Sequence, residues 1–327
     1  MPVVAYRETL PDRLALRDPG DDQIARAAGL VFDRLADGAL AVLVKTSRLA
    51  LAADHRELLA RRIVDAFAER VRAAFELDVA TELDRPQRCE LPAGATRTLL
   101  PHHDGGHCSY LTAPALTGDA PQRSLANEAY TTTDEHKIYQ GLLLRDAGDA
   151  MSLTSYFDLV RLLADAWAHQ HRRRPTLPAL LAWYQRNVTE AIARAGATGY
   201  LPIGAQLGAT GPARDTAIHA YEASHDLTGE LTGELAGDRR SARQLADELA
   251  QTALGLSFAE LMARHAVLAP CETGDLLVGH NLFAWHGGVE GGRGREILPI
   301  CVTLRAGGPA YERWLAVHWQ RFFARAA

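Results

Sequence analysis

The chain reads as an α+β protein, and three observations predict that class. Short apolar stretches punctuated by glycine gather in two blocks, at about 96–145 and 275–305. Between them, from about 155 to 265, apolar residues recur mostly at helical spacing. Ahead of the first block, two more helical patterns bracket a short apolar run. No stretch has the composition of a linker, so 1–327 is expected to form a single domain with the middle helices as an insertion.

Taken in order, Asp21-Asp22 can cap a helix running to about 37, with Ile24, Ala27, Ala28, Val31, Phe32 and Leu35 at helical spacing and Gly38 as its stop. Residues 39–44 form a buried strand. A second helix covers about 55–75, with Leu58, Leu59, Ile63, Ala66, Phe67, Val71 and Phe75 on one face. Residues 77–98 are polar and read as irregular until the strand-like Thr96-Arg97-Thr98-Leu99-Leu100. Residues 136–144 make a convincing strand, and Gly148-Asp149-Ala150-Met151-Ser152 hands over to a helix over about 155–169. Further helices are expected at about 177–195 and 240–253, with the tandem LTGE of 227–235 as a loop between them. Strands follow at 275–279, 282–286 and 296–304, with Pro299 calling for an edge or a bulge. A last helix over about 310–326 carries Trp314, Leu315, Val317, His318 and Phe322 on its apolar side.

Composition narrows the function. Hydrophobic residues at 47% and charged residues at 23% suit an ordinary globular chain. A net charge of -5 and the absence of a basic stripe argue against nucleic acid as partner, and Arg172-Arg173-Arg174 reads as a solvated helix end. No apolar run approaches the roughly 18 residues of a membrane span, and Met1-Pro2-Val3-Val4 lacks a leader pattern. Cys89, Cys108, Cys271 and Cys301 include no CxxC pair and read as reduced thiols. The expectation is a cytoplasmic protein that handles a small molecule; the sequence leaves its oligomeric state open.

One stretch is rich in metal-ligand chemistry: Leu99-Leu100-Pro101-His102-His103-Asp104-Gly105-Gly106-His107-Cys108. It lies at the junction of two expected strands. His102 and Asp104, two residues apart, point the same way in extended chain. His286, ahead of Gly287-Gly288, can supply a third ligand from the second strand block. Two imidazoles and a carboxylate on one face of a metal leave the opposite positions open, which suits Fe(II) activating O2.

His-x-Asp early, then Asp275-Leu276-Leu277-Val278, Trp285-His286-Gly287-Gly288 and Arg295, resembles the iron(II)/2-oxoglutarate-dependent oxygenases, especially the taurine dioxygenase and clavaminate synthase group. The matched motifs cover about 35 residues. The resemblance implies a double-stranded β-helix, a jelly-roll of the cupin type, with flanking helices. It implies that His102, Asp104 and His286 bind the catalytic iron, that 2-oxoglutarate is the cosubstrate, and that O2 is consumed. An arginine is then needed for the far carboxylate of 2-oxoglutarate. Arg295, nine positions after His286, is the first choice, and Arg293 and Arg305 also qualify. Tyr139, Gln140, Ser152 and Thr154 are candidates for added hydrogen bonds, and Ala150 stands where the family often has threonine.

The expected reaction is hydroxylation, desaturation or cyclisation of a small polar metabolite such as an amino acid or a natural-product intermediate. His103-Asp104-Gly105 offers a second register, His-x-Gly, which marks the halogenase branch of the family. Two different classes also fit these residues: a metal-dependent phosphohydrolase built on His103-Asp104, and a non-catalytic ligand-binding barrel. Residues 200–240, with Arg214, His219, His225 and Asp226, are expected to help cover the pocket.

Overall fold

The computed structural model describes residues 8–9, 13–15, 20–49, 51–90, 92–94, 96–102, 136–149, 153–184, 260, 264–291, 293–305 and 309–326. The expected loop at 227–235, the helix at 240–253 and the cover over 200–240 lie outside them.

Helix α1 (Asp21–Ala36) forms where Ile24, Ala27, Ala28, Val31 and Leu35 make one buried stripe. Its N-cap is Gly20 with no side-chain cap, so Asp21 and Asp22 act instead as first-turn acids facing the helix dipole. Helix α2 (Ala53–Phe75) buries Leu59, Ile63, Val64, Phe67 and Val71. Leu58, expected on that face, is 55% exposed. Helix α3 (Leu159–His171) is capped by the Asp158 side chain, which accepts from the Arg161 amide at 3.0 Å. Helix α4 (Leu177–Tyr184) follows, and α5 (Pro309–Ala326) buries Trp314, Leu315, His318, Trp319 and Phe322 while Val317 faces out.

The strands are β1 (Glu8–Thr9), β2 (Arg13–Ala15), β3 (Ala41–Lys45), β4 (Val79–Leu83), β5 (Gln87–Glu90), β6 (Thr96–His102), β7 (His136–Asp146), β8 (Leu153–Asp158), β9 (Ala266–Ala269), β10 (Leu276–His280), β11 (Ala284–Gly291) and β12 (Arg293–Leu304). They build two sheets. One has the order β1-β9-β8-β11-β6; the other runs β2-β3-β10-β7-β12-β4, with β5 also paired to β12. Most pairs are antiparallel; β1–β9 and β2–β3 are parallel. The α+β class therefore holds. Strands β4 and β5 occupy a stretch expected to be irregular, and β8 occupies the start of an expected helix.

Pro299 sits in β12, an interior strand, not at an edge. It is tolerated because β12 changes partner there, from β5 up to Ile297 to β4 from Ile300, so its missing N–H falls in the gap.

The second sheet has a helical face and an inner face, and strand parity separates them. Tyr139 packs edge-on against Phe67 of α2, ring centroids 5.0 Å apart, and its hydroxyl accepts from Trp314 Nε1 of α5 at 3.2 Å. A Cβ on Gly141 would meet Val64 of α2 at 3.0 Å. Residues 139 and 141 therefore face the helices, and Gln140 faces the other way. Opposite Gln140 stands Gly279, where a Cβ would come within 2.8 Å of Tyr156 Cε1 of β8 and 3.0 Å of the Ala41 Cβ. The two sheets thus meet face to face at Gly279. Gly279→Val is expected to destabilise the fold by about 1–3 kcal/mol through overpacking, read as a lowered urea midpoint.

On the helical side, His280 and His318 are buried in an aromatic cluster with Phe283, Trp314 and Phe322. Each ring makes one contact to a carbonyl: His280 Nε2 to Leu35 O at 3.1 Å, His318 Nδ1 to Trp314 O at 2.8 Å. Burial holds both imidazoles neutral, His280 well below its ordinary range and His318 down to about 4. The unfolded chain protonates these groups near pH 6.5 while the folded chain does not, so it binds more protons below that pH. Stability should fall as pH drops from about 6.5 towards 4, by up to about 1.4 kcal/mol per pH unit per histidine. Urea midpoints between pH 7.5 and 4.5 measure this, and His318→Gln should flatten the slope.

Among the described residues, no helix is long and apolar enough to cross a membrane.

Candidate metal centre

Strand β11 opens Ala284-Trp285-His286 with all three buried, so the imidazole enters a dry neighbourhood. His286 is the third residue of the strand, not its end as the sequence pattern suggests. Because β11 lies between β6 and β8, residue 286 has a cross-strand partner on either side: His102 of β6 and Tyr156 of β8. The Tyr156 ring lies 6.2 Å from that of His286. Directly opposed residues of antiparallel strands are the closest cross-strand neighbours a sheet offers. The two histidines expected to share a metal are thus paired by register, one from the first third of the chain and one from the last.

Beyond this pair the register slips. The next partners are Gly288 and Leu99, so two steps on β11 match three on β6. That is a bulge in β6 at Leu100-Pro101, where proline's lack of an N–H is no handicap. His102 is the last described residue of β6, and 103–135 lie outside the described residues. Asp104, the third expected ligand, lies there, as do His103, Gly105, His107 and Cys108; Ser152 and Ala150 are outside them too. Among the described residues, no three His, Cys, Asp or Glu side chains gather as a metal site.

The other expected site residues separate. Gln140 is buried on the inner face of the second sheet, opposite Gly279 and Cys301. Through Gly279 and Tyr156 it belongs to the same layer as His286. Tyr139 does not: it faces the helices, and burial pushes its phenol far above the ordinary range. Thr154 pairs with Gly288 and Ala269 in the first sheet.

Arg295 is buried at the far end of β12. It stands six residues before Cys301, which is roughly 20 Å along a strand. There it packs under the 147–149 turn. A Cβ on Gly148, at φ +77, would meet the Arg295 amide nitrogen at 2.8 Å, so glycine is required. Its neighbour Cys271 has its thiol pushed up to about 12 by burial, with Asp275 adding to the rise and Lys45 and Arg295 opposing it. Asp149 is a structural tie: its Oδ1 accepts from the Arg293 amide at 2.7 Å and the Gly94 amide at 3.4 Å. Arg293 is exposed and opposite Glu90, and Arg305 is exposed just past β12.

Sequence reasoning missed Tyr156, Lys137 and Asp84. Lys137 Nζ is 2.7 Å from Asp84 Oδ2, and the Cys301 thiol, on the inner face, is 3.9 Å from that same oxygen. The signal for Lys137 was a cation at the head of the clear strand pattern of 136–144.

The chain matches no family model, and no curated protein matches it. Among solved structures it is similar to the PvcB protein of Pseudomonas aeruginosa, at 15% identity over 85% of this chain and 82% of that one, with a TM-score of 0.34. It is also similar to the non-heme iron oxygenase OrfP, at 14% identity over 88% and 84% of the two chains and a TM-score of 0.32. For OrfP in complex with Fe, succinate and (3R,4R)-dihydroxy-L-Arg, identity is 17% over 88% and 84%, and the TM-score is 0.34. Likenesses of this strength carry no weight for function.

Proposed function

We propose that this chain is an iron(II)- and 2-oxoglutarate-dependent oxygenase with a jelly-roll core, acting on a small polar metabolite. The observation that carries the reading is the register of β6 and β11, which sets His102 opposite His286. The donor set suits ferrous iron: two imidazoles across adjacent strands, with a carboxylate two residues past one of them in sequence. His286 is 6% exposed, so a metal held there would be shielded from bulk water on the side of Tyr156. A metal-dependent phosphohydrolase built on His103-Asp104 belongs to a helical fold, whereas the residues leading into that pair, Thr96–His102, form a strand.

In this proposal His102, Asp104 and His286 hold the iron, and Tyr156 walls the site against Gly279. Gln140 and Cys301 line the facing sheet. Bound iron and 2-oxoglutarate would supply activation of O2 for attack on a substrate C–H bond. The protein's part is to hold the ligands in place, position substrate and exclude water. The test is anaerobic titration with Fe(II) and 2-oxoglutarate. A weak visible charge-transfer band is the expected result; protein that gives none overturns the reading.

A further inference from the structure

We propose that the pocket between the N-terminal end of α2 and the adjoining ends of β5, β12 and β7 binds a phosphate group carried on a small organic molecule. The pocket has a volume of about 260 Å³, and Arg56 of α2, Arg88 of β5 and Arg145 of β7 line it. It lies on the helical face of the second sheet, turned away from the face that meets the first sheet at Gly279. Binding there is therefore separate from the proposed metal centre.

Strand register gathers these groups. Glu296 of β12 has Arg88 opposite it on one side and Asp146 on the other, and directly opposed residues share a face. That face is the helical one. Ile300 stands opposite Gly141, which packs on Val64 of α2, and Ile300, Leu298 and Glu296 alternate along β12. The register slips between Ile297 and Glu296, which makes Arg145 the extra residue of a bulge in β7. Its guanidinium meets Glu296 at 3.0 Å. The first turn of α2 adds a wall: Ala53 and Arg56 line the pocket, and no side chain caps this helix end.

The charges around the pocket do not cancel. Three guanidinium groups face two carboxylates, those of Asp146 and Glu296. Glu296 is taken by Arg145, and Asp146 accepts from the Gly148 amide at 2.9 Å. Arg56 has no carboxylate partner among the described residues. Its stem is held over the Gly274 turn, where an added Cβ would meet its Cδ at 3.1 Å, and its Nε is shut off from solvent with no hydrogen-bond partner. An oxyanion in the pocket would supply that partner with a charge-assisted bond. Donors converging from α2, β5 and β7, together with the positive end of the helix, suit a tetrahedral anion; a planar carboxylate is satisfied by one guanidinium fork. Leu143 gives the organic part an apolar wall, and a volume at the small end of ligand pockets keeps that part small.

The experiment is titration calorimetry on full-length protein at fixed ionic strength, with a chelator present so that no metal ion takes up phosphate. The probes are inorganic phosphate and glycerol 3-phosphate, with acetate as the comparison anion. Both phosphates should bind saturably at one site, and acetate should not displace them. Arg56→Met and Arg88→Met should each weaken phosphate binding by about 10-fold or more. Arg56→Lys, which keeps the charge, should recover part of the loss. Arg313→Met, which removes an exposed arginine of α5 outside the pocket, should change nothing. Because the Arg56 stem packs on Gly274, a lowered melting temperature in Arg56→Met leaves the decision to Arg88→Met, on the exposed part of β5. The inference is overturned if wild-type protein shows no saturable phosphate binding, or if Arg88→Met binds phosphate as wild type does. It is also overturned if Arg313→Met weakens binding as much as the pocket variants do, or if glycerol 3-phosphate is excluded. Acetate that binds as tightly as phosphate overturns the assignment of the anion.

Discussion

His286→Ala is expected to abolish stoichiometric Fe(II) binding while leaving the fold intact. An imidazole ligand contributes a metal bond outright, and changes to groups that merely support such ligands already lower affinity by about 10–100-fold, so the loss here should be on the order of 100-fold or more. The cavity is a modest one, because the ring lies near the start of β11 rather than in the aromatic cluster beneath it. Far-ultraviolet dichroism should therefore match wild type, and the anaerobic charge-transfer band should vanish. His102→Ala should do the same, since register makes the two residues partners. If either variant keeps the iron affinity of wild type, the pairing of β6 and β11 has no part in metal binding and the proposed centre is wrong.

Phe283→Ala is expected to have the largest effect on stability without touching a ligand. Phe283 is fully buried on the link between β10 and β11, stacked on Phe322 with ring centroids 5.1 Å apart and on His318 at 5.6 Å. It also contacts His280, Trp314 and Trp319. Its carbonyl accepts from the Leu159 amide, which joins β11's lead-in to the start of α3. Truncation leaves a void among rings that cannot close in, so a loss of about 3–5 kcal/mol is expected, against a total stability of about 5–15 kcal/mol. The urea midpoint should fall steeply, while Leu58→Ala, on the exposed flank of α2, should shift stability by no more than about 0.5 kcal/mol. Equal effects from the two would mean that the cluster is not the fold's anchor.

The helices were legible because a helix declares itself locally. The stripes Ile24–Leu35 and Leu59–Val71 need no knowledge of what they pack against. Strands were legible as short apolar runs bounded by turn residues, as in β3, β7, β10 and β12, and β6 and the start of β11 were read as well. Val79–Leu83 is half exposed, and its partner is β12, roughly two hundred residues later. Nothing within the segment announces such a pairing. Leu153-Thr154-Ser155-Tyr156-Phe157 abuts the apolar stripe of α3 without a break, so its six-residue strand merged with the helix.

At the site, residue type alone pointed to His102, Asp104 and His286 as candidate ligands. Parity explains the divided fate of Tyr139 and Gln140: neighbours on a strand face opposite ways, and no local signal said which face was the helical one.

The order β9-β8-β11-β6 has a consequence for how the protein is made. Strand β11 inserts between β6 and β8, two strands that leave the ribosome long before it does. Until it arrives each lacks that neighbour, and an unsatisfied edge invites pairing with other chains. The histidine pair closes a long loop, so it belongs to the slow, non-local part of folding. A chain that ends before residue 284 carries His102 but cannot present the pair. For the proposed centre, iron uptake during synthesis would therefore report that the last strands have been threaded home.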